Sequence, residues 1–521
     1  MSTATDTPLA TALAAVGLPA ESAARLEIGG GRGTPEPRLP VEDVGVACVG
    51  AALLAAARLH EARTGEWLAP AVNRDQVRAA LVSERLFQVD GEPAGGGFAP
   101  ASRFWPAADG WVRTHANFPW HREALLRAVG AADVDALADA IAERPAAEVE
   151  AAAFAAGGIA AEVRTPAEWR AHPQGAAVAT EPLVARVSLG DAPPRHRDPA
   201  LGHGSRGSFW SDSDQNEPRK PIAAASAPAA GVRVLDFTRV IAGPVCSRYL
   251  GALGADVLRV DSPSLPDGEP GAPGDTLLGK RSAFLDLATE AGAERLGSLL
   301  ADADVVLLGY RPGALARFGL APEQLAARNP GLVVMELAAW GHTGPWAERR
   351  GFDSIVQAAS GIAAVEAGPD GAPGALPCQL LDHGTGYLAA AAVLTALAEQ
   401  RERGGTHLVR LSLARTAHWL LGLGEGLATS ARDASGAAAA VPPADTAAAP
   451  PRRHVDGPAL VAARPLWHED GAAFVAGLDD DPSLVAVPPP GSLGGVPLRW
   501  RGPAGRYGAA APAWHDPASP I

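Results

Sequence analysis

Apolar positions follow two different rhythms along this chain. From residue 232 onward, short unbroken apolar runs recur: "VRVLDF" (232–237), "ADVLRVD" (255–261), "SAFLDL" (282–287), "ADVVLLG" (303–309) and "GLVVMELAAW" (331–340). Runs of this length without polar alternation predict strands buried on both faces. Between them lie "EAGAERLGSLLADA" (290–303), with the spacing of an amphipathic helix, and a second helical stretch at 322–328. Gly243-Pro244 can open a further helix, because proline is tolerated in the first helical turn. Strands alternating with helices predict an α/β unit with a doubly wound parallel sheet.

Before residue 202 the pattern is different. An alanine-rich helix is predicted over 46–62, a hairpin over 104–117 with Asp109-Gly110 as its turn, and helices over 119–128, 131–142 and 146–156. A strand, a turn and another helix follow over 157–175, which together describe a smaller α+β unit. Two polar, low-complexity stretches, 202–231 and 430–454, read as linkers. They divide the chain into a first part (1–201), a middle part (232–429) and a weakly patterned tail (455–521), which could complete the fold.

Composition narrows the function classes. The net charge of −14 argues against a nucleic-acid partner, which needs a basic face. It leaves room for a small anion held by local arginines. Lys220 and Lys280 are the only lysines, so arginine carries nearly all the positive charge. Cys48, Cys246 and Cys378 form no C-x-x-C pair and read as reduced core residues of a cytoplasmic protein. The opening "MSTATDTPLATALAAVG" has no basic n-region, so no secretory signal is expected. The run "YLAAAAVLTALA" (387–398) is short and alanine-rich for a bilayer span, and no membrane role is expected. No metal-ligand spacing is present, no G-x-G-x-x-G follows the first strand to suggest NAD, and "GHGSRG" (202–207) is not a hydrolase elbow.

The sharpest chemical feature is "LLDHGTGYLAAAA", where Asp382 follows an apolar run and precedes a glycine-containing turn and a long helix. Two readings are open. Aspartate is a preferred helix N-cap. It can also be a nucleophile that attacks an acyl thioester, given an ionised carboxylate and nearby N–H donors for the developing oxyanion. An ordinary aspartate, with pKa of about 3.9, is ionised at neutral pH. Elsewhere, "TRVIAGP" offers helix-start amides, and Lys280, Arg281, Tyr310, Arg311 and Arg317 lie in loops next to strands. Together they suit a phosphate-bearing anion.

A repeat links the two halves: "LPVEDVGVACVGAALLAAARLHEARTG" (39–65) resembles "LPCQLLDHGTGYLAAAAVLTALAEQRERGG" (376–405) with a gap of three residues.

Five segments occur in order: "VLDFTRVIAGPVCSRYLGALGADVLRVD", "GKRSAFLDL", "ADVVLLGYRPGALARFGL", "NPGLVVMELAAWGHTGPWAERRGFDSIVQAASG" and "DHGTGYLAAAAVLTAL". This series resembles the N-terminal half of the class III CoA-transferases, a family that includes formyl-CoA transferase, carnitine CoA-transferase and 2-methylacyl-CoA racemase. The resemblance implies a Rossmann-like CoA-binding domain with Asp382 as the acyl-accepting aspartate. It places coenzyme A along Arg239, Ile241, Ala242, Ser262, Leu277 to Lys280, Gly309, Tyr310, Arg311, Arg317, and Arg350 to Asp353. "GGGFAPASRFWPAADGWVRTHANFPWHREALLRAVG" (95–130) is similar to the family's small domain, which implies that Gly95, Gly96 and Gly97 form the loop that closes over the active site.

The implied order is the later half of one copy followed by the earlier half of a second, fused or permuted, as a homodimer or a pseudo-dimeric monomer. Glu42 or Asp43 occupies the nucleophile's place in the first copy, where no second active site is expected. Phe352 stands where the racemase branch has histidine, which disfavours racemisation. The segment between Asp261 and Lys280 is shorter than the family's usual excursion. The activity implied is transfer of CoA from an acyl-CoA to a carboxylic acid, through an aspartyl anhydride and an aspartyl-CoA thioester, with the glycine loop excluding water. The alternatives are a catalytically degenerate CoA-binding or partner subunit and, third, a racemase or epimerase.

Overall fold

The computed structural model describes residues 7–33, 38–94, 97–196, 227–435, 475–478, 481–501 and 504–515. Its centre is a seven-stranded sheet of β1 (Ala185–Gly190), β2 (Arg233–Phe237), β3 (Asp256–Asp261), β4 (Arg281–Phe284), β5 (Val305–Leu308), β6 (Val333–Ala338) and β7 (Thr406–Ser412). The spatial order is β4-β3-β2-β5-β6-β7-β1. Every pair from β4 to β7 is parallel, and β1, from the first part of the chain, adds antiparallel to β7. All four residues of β5 are buried, as an apolar run without alternation requires. The chain leaves β2 toward β3 on one side and later returns to β5 on the other. The carboxyl ends of β2 and β5 therefore flank the reversal of strand order, where open α/β sheets bind ligands.

Four helices position the chemistry: α1 (Val41–Thr64), α2 (Ala242–Ala252), α3 (Asp353–Ser360) and α4 (Leu380–Arg403). The two repeat helices, α1 and α4, are each 24 residues long and pack against one another. One hydrophobic core runs from Leu13 and Leu53 in the first part through Val245, Tyr249 and Leu388 in the middle part. Although α4 has the length and hydropathy of a membrane span, almost all of it is buried inside this core.

A second, separate core around Trp105, Val112, Leu125 and Val149 holds the smaller unit. There Phe104–Pro106, Trp111–Thr114 and Ala160–Glu162 form an antiparallel three-stranded sheet, so the predicted hairpin is present. The helix expected over 131–142 is confined to Leu137–Ala142. Asp133 accepts the Ala136 N–H at 3.0 Å, and this side-chain turn competes with helical pairing.

The tail binds both parts. Asp481–Ala486 pairs with the strand at Gln88–Val89, and Ser492–Leu493 pairs with Pro70–Asn73. Tyr507 meets Phe284 edge-on at 5.1 Å. The expected linkers lie mostly outside the described residues, although the helix after β7 continues to Ser435.

Candidate active site

Asp382 is the third residue of α4, whose N-cap is Gln379. The glycines that follow it, Gly384 and Gly386, lie within the helix and not in a turn. A Cβ on Gly386 would fall 2.5 Å from the Ala242 carbonyl, so these small residues serve close helix crossing. They leave no glycine turn whose amides could serve an oxyanion.

The capping reading of Asp382 is overturned by a neighbour on α3. Asp353, the first residue of α3, accepts the Asp382 N–H on Oδ2 at 2.9 Å and Gln357 Nε2 on Oδ1 at 2.5 Å. Gln357 in turn accepts the Leu376 N–H at 2.9 Å. Asp353 thus caps α4 from outside. With 1% of its surface exposed and both oxygens engaged, its side chain is not available to coenzyme A, contrary to the sequence expectation.

The Asp382 carboxylate is different. Among the described residues no donor reaches it, and 6% of the residue's surface is exposed. Burial, then the nearby charges of Asp353 and Glu84, push its pKa well above the ordinary aspartate range. The carboxyl is therefore less readily ionised than the ordinary aspartate that the sequence suggests. Burial also raises Asp353, to about 6, against the opposing pull of its hydrogen bonds. Beside them, His383 Nε2 and Glu84 Oε2 are 3.0 Å apart. Burial works against the Glu84 carboxylate, but the His383 hydrogen bond and charge outweigh it and hold the pKa low.

The loops after β2, β3 and β5 carry most of the remaining candidates. Arg239 follows β2 and donates to Pro266 O at 3.2 Å and Asp267 Oδ1 at 3.3 Å. Val240 has φ +66°, a left-handed turn that precedes Ile241 and the start of α2 at Ala242. Ser262 follows β3, and its hydroxyl lies 2.9 Å from that of Ser264. Gly309 follows β5 where a Cβ would come within 3.0 Å of Thr238, so the two loops touch. Tyr310 is half-buried, Arg311 and Arg350 are exposed, and the two arginines lie near enough for Arg311 to lower the Arg350 pKa after burial does. Arg317 is exposed and lies over its neighbour Phe318 at 4.6 Å.

Three expectations are corrected here. The Lys280 ammonium is fully buried, paired with Asp236 at 3.0 Å and donating to Ser247 Oγ at 2.6 Å, so it stabilises the sheet and meets no phosphate. Burial lowers its pKa to about 8, with Asp236 opposing. Arg281 is likewise committed, to Asp256 and the Ala513 carbonyl. Leu277 is 4% exposed in a short 3₁₀ turn.

Gly95 and Gly96 lie outside the described residues. Gly97 is exposed, and its carbonyl accepts Asn117 Nδ2 at 3.2 Å. Its neighbour Phe98 meets His115 edge-on at 6.1 Å, and His115 stacks on Phe352 at 3.9 Å, next to Asp353. The end of the glycine loop therefore reaches the Asp382 site within one chain. Phe118 and Trp120 bring their rings to 5.1 and 6.0 Å from the Arg239 guanidinium. His121 packs edge-on against Phe118 at 5.5 Å. Sequence reasoning missed Glu84, His115, Phe118, Trp120 and His121. The signal for the last three was the crowded "NFPWH" in a chain with only 5% aromatic residues. A cavity of about 260 Å³ at β1 and β7, lined by Arg186, Ser188 and His407, is not part of this site.

Residues 230–451 match the model of CoA-transferase family III. A probable fatty acyl-CoA transferase of Mycobacterium tuberculosis is 36% identical over 205 residues, covering 37% of this chain and 52% of the relative. The succinyl-CoA–L-malate CoA-transferase beta subunit of Chloroflexus aurantiacus is 39% identical over 190 residues, covering 34% of this chain and 47% of that one. The chain thus spans about half the length of these curated relatives. Among solved structures, a CAIB/BAIF family protein from Brucella suis aligns at 32% identity and a TM-score of 0.35, covering 40% of this chain and 58% of that one.

Proposed function

We propose that this chain is a CoA-transferase that moves coenzyme A between an acyl-CoA and a carboxylic acid, with Asp382 as the covalent carrier. The family match over 230–451 supports the reaction class. The single observation that carries the residue assignment is the division of labour between two adjacent aspartates. Asp353 takes the capping hydrogen bonds, and Asp382 is left in the first turn of α4 without a donor on its carboxylate.

In this reading the Asp382 carboxylate attacks the thioester carbonyl and expels the CoA thiolate, forming a mixed anhydride. The thiolate then attacks the aspartyl carbonyl and releases the donor acid, leaving an aspartyl-CoA thioester. An acceptor carboxylate attacks that thioester, expelling thiolate and forming the second anhydride. Attack of the thiolate on the acceptor acyl carbonyl gives the new acyl-CoA and restores Asp382. Coenzyme A would run past Arg239, Ile241, Ser262, Tyr310 and Arg311 at the carboxyl ends of β2, β3 and β5, and past Arg350 in the segment after β6. The Gly95–Gly97 loop and the Phe98–His115–Phe352 stack would exclude water from the anhydride. The chain would combine the later half of one family copy with the earlier half of another. In support, α1 and α4 have equal length and carry Asp43 and Asp382 at the same third position.

The near-complete burial of Asp382 favours a second reading, a degenerate subunit that binds CoA without transfer. The full chain mixed with acetyl-CoA and a panel of carboxylic acids, followed by mass spectrometry of the thioesters, separates the two. New acyl-CoA species support the transferase. Calorimetric binding of CoA with no new thioester supports the degenerate subunit.

A further inference from the structure

Three donors at the carboxyl end of β2 converge on one carboxylate, that of Asp267. Its Oδ2 accepts the Val240 N–H at 3.2 Å and Arg259 at 2.8 Å, and its Oδ1 accepts Arg239 at 3.3 Å. Arg259, on β3, does not need this partner, because Asp261 already meets it with both oxygens, at 2.6 and 3.0 Å. Arg239 is different. Among the described residues Asp267 is the one carboxylate it pairs with, and its Nε is buried without a partner. Val240 holds its left-handed φ despite a β-branched side chain, the kind of backbone strain that gathers at ligand sites.

The segment that delivers Asp267 is built to move. "SPSLPDGEPGAPG" (262–274) is rich in proline and glycine, and of residues 263–271 only Asp267 is not exposed. Its side chain is 10% exposed, while Leu265 beside it stands 47% exposed. An aspartate that fixes its own loop accepts amides of that loop, as Ser262 accepts the Ser264 N–H here. Asp267 instead spends its carboxylate on groups of β3 and of the loop after β2. Both hydrogen-bond partners of Arg239, the Pro266 carbonyl and the Asp267 carboxylate, belong to this one segment.

We propose that Asp267 competes with a phosphate of coenzyme A for this site, so that binding of the coenzyme displaces it and its segment. This rests on the coenzyme-binding part of the reading above and adds the residue that sets the affinity. Withdrawal of residues 262–274 frees Arg239 and the Val240 N–H together, while Arg259 keeps Asp261. Those donors suit a phosphate, which carries more charge and more acceptor oxygens than a carboxylate. The open site is then a minor state, and the affinity measured for the coenzyme is reduced by its population.

The test compares the full chain with Asp267→Asn by calorimetry, using CoA, inorganic pyrophosphate and pantetheine, which has no phosphate. Asp267→Asn is expected to bind CoA and pyrophosphate about 10-fold more tightly, as removal of a self-occupied state does, and pantetheine no differently. Adding Arg239→Gln to that variant should abolish the gain. In the unaltered chain, hydrogen exchange over 263–271 should accelerate when CoA is added, a readout that does not depend on the folding of a variant. Unchanged or weaker CoA binding by a folded Asp267→Asn overturns the proposal, and so does exchange over 263–271 that stays the same or slows as CoA binds. A gain for pantetheine equal to that for CoA also overturns it, because no phosphate would then be involved. If Asp267→Asn gains affinity for CoA and pyrophosphate but no acid receives CoA, the internal competitor stands and the transferase reading falls. If CoA is transferred and the variant gains nothing, the transferase reading stands and this proposal falls.

Discussion

The N-terminal turns of α1 and α4 start from the same design and end in opposite electrostatic states. Each helix has an aspartate at its third position, followed two residues later by a glycine. At α1, Asp43 is paired with Arg32 at 3.1 Å and with Arg74 at 2.9 Å. Its neighbour Glu42 binds Arg74 at 2.7 Å, Arg78 at 2.9 Å and the Gly33 N–H at 2.9 Å. At α4, Asp382 meets no cation among the described residues and sits near two further carboxylates. Satisfied acids at a helix start stabilise it. An unsatisfied buried acid instead raises the free energy of the ionised fold. Under the proposed function, the first turn would hold structure and the second would carry the chemistry.

Replacing the two aspartates is the strongest way to break this comparison. Asp382→Asn is expected to lower transfer by about 10³-fold or more, because an amide cannot carry the acyl group. The same change should raise stability at pH 7 by about 1–2 kcal/mol, since it removes a carboxyl that burial disfavours in its charged form. Denaturant unfolding and steady-state rates on one preparation check both signs. Removing the α1 acid should do the reverse. Glu42→Ala removes one of the two carboxylates paired with the buried Arg78, leaving Asp75, and should cost about 1–3 kcal/mol of stability, while the rate per folded molecule changes little.

The pH dependence sharpens the contrast. The folded Asp353 titrates near 6, above its ordinary 3.8, and Asp382 is raised as well. These two groups therefore bind more protons in the folded protein than in the unfolded chain in this window, while Glu84, whose pKa is lowered, works the other way. The stability contributed by the two aspartates should fall as pH rises from about 4 to about 6, while transfer, which needs the ionised nucleophile, should increase with pH. Melting temperature and rate should thus move in opposite directions, and Asp382→Asn should flatten part of the stability slope. Gly386→Ala tests the helix crossing alone and leaves both carboxylates in place. Its added methyl meets the Ala242 carbonyl and should cost about 1–3 kcal/mol, read as a lower denaturant midpoint with the unfolding slope unchanged.

The parallel sheet was legible because its strands are buried on both faces, which leaves runs such as "VVLL" with no polar interruption. Asp382 was legible as a residue, through its place before a long alanine-rich helix. Its role was not, because the partner that removes it from capping, Asp353, lies 29 positions earlier and is brought in only by folding. Lys280 misled for the same reason: a lysine beside a strand reads as solvated until Asp236 and Ser247 are seen to enclose it. Glu84 carries no local pattern; its place beside Asp382 and His383 comes from folding alone.

The central claim is that Asp382 becomes acylated. The direct measurement is to incubate the full chain with an acyl-CoA, quench with hydroxylamine, and sequence the peptide spanning α4's first turn by mass spectrometry. The account predicts a hydroxamate on the Asp382 side chain that is absent without acyl-CoA and absent in Asp382→Asn. An unmodified Asp382 in a preparation that is actively transferring CoA, or a hydroxamate on a different acid, would contradict it.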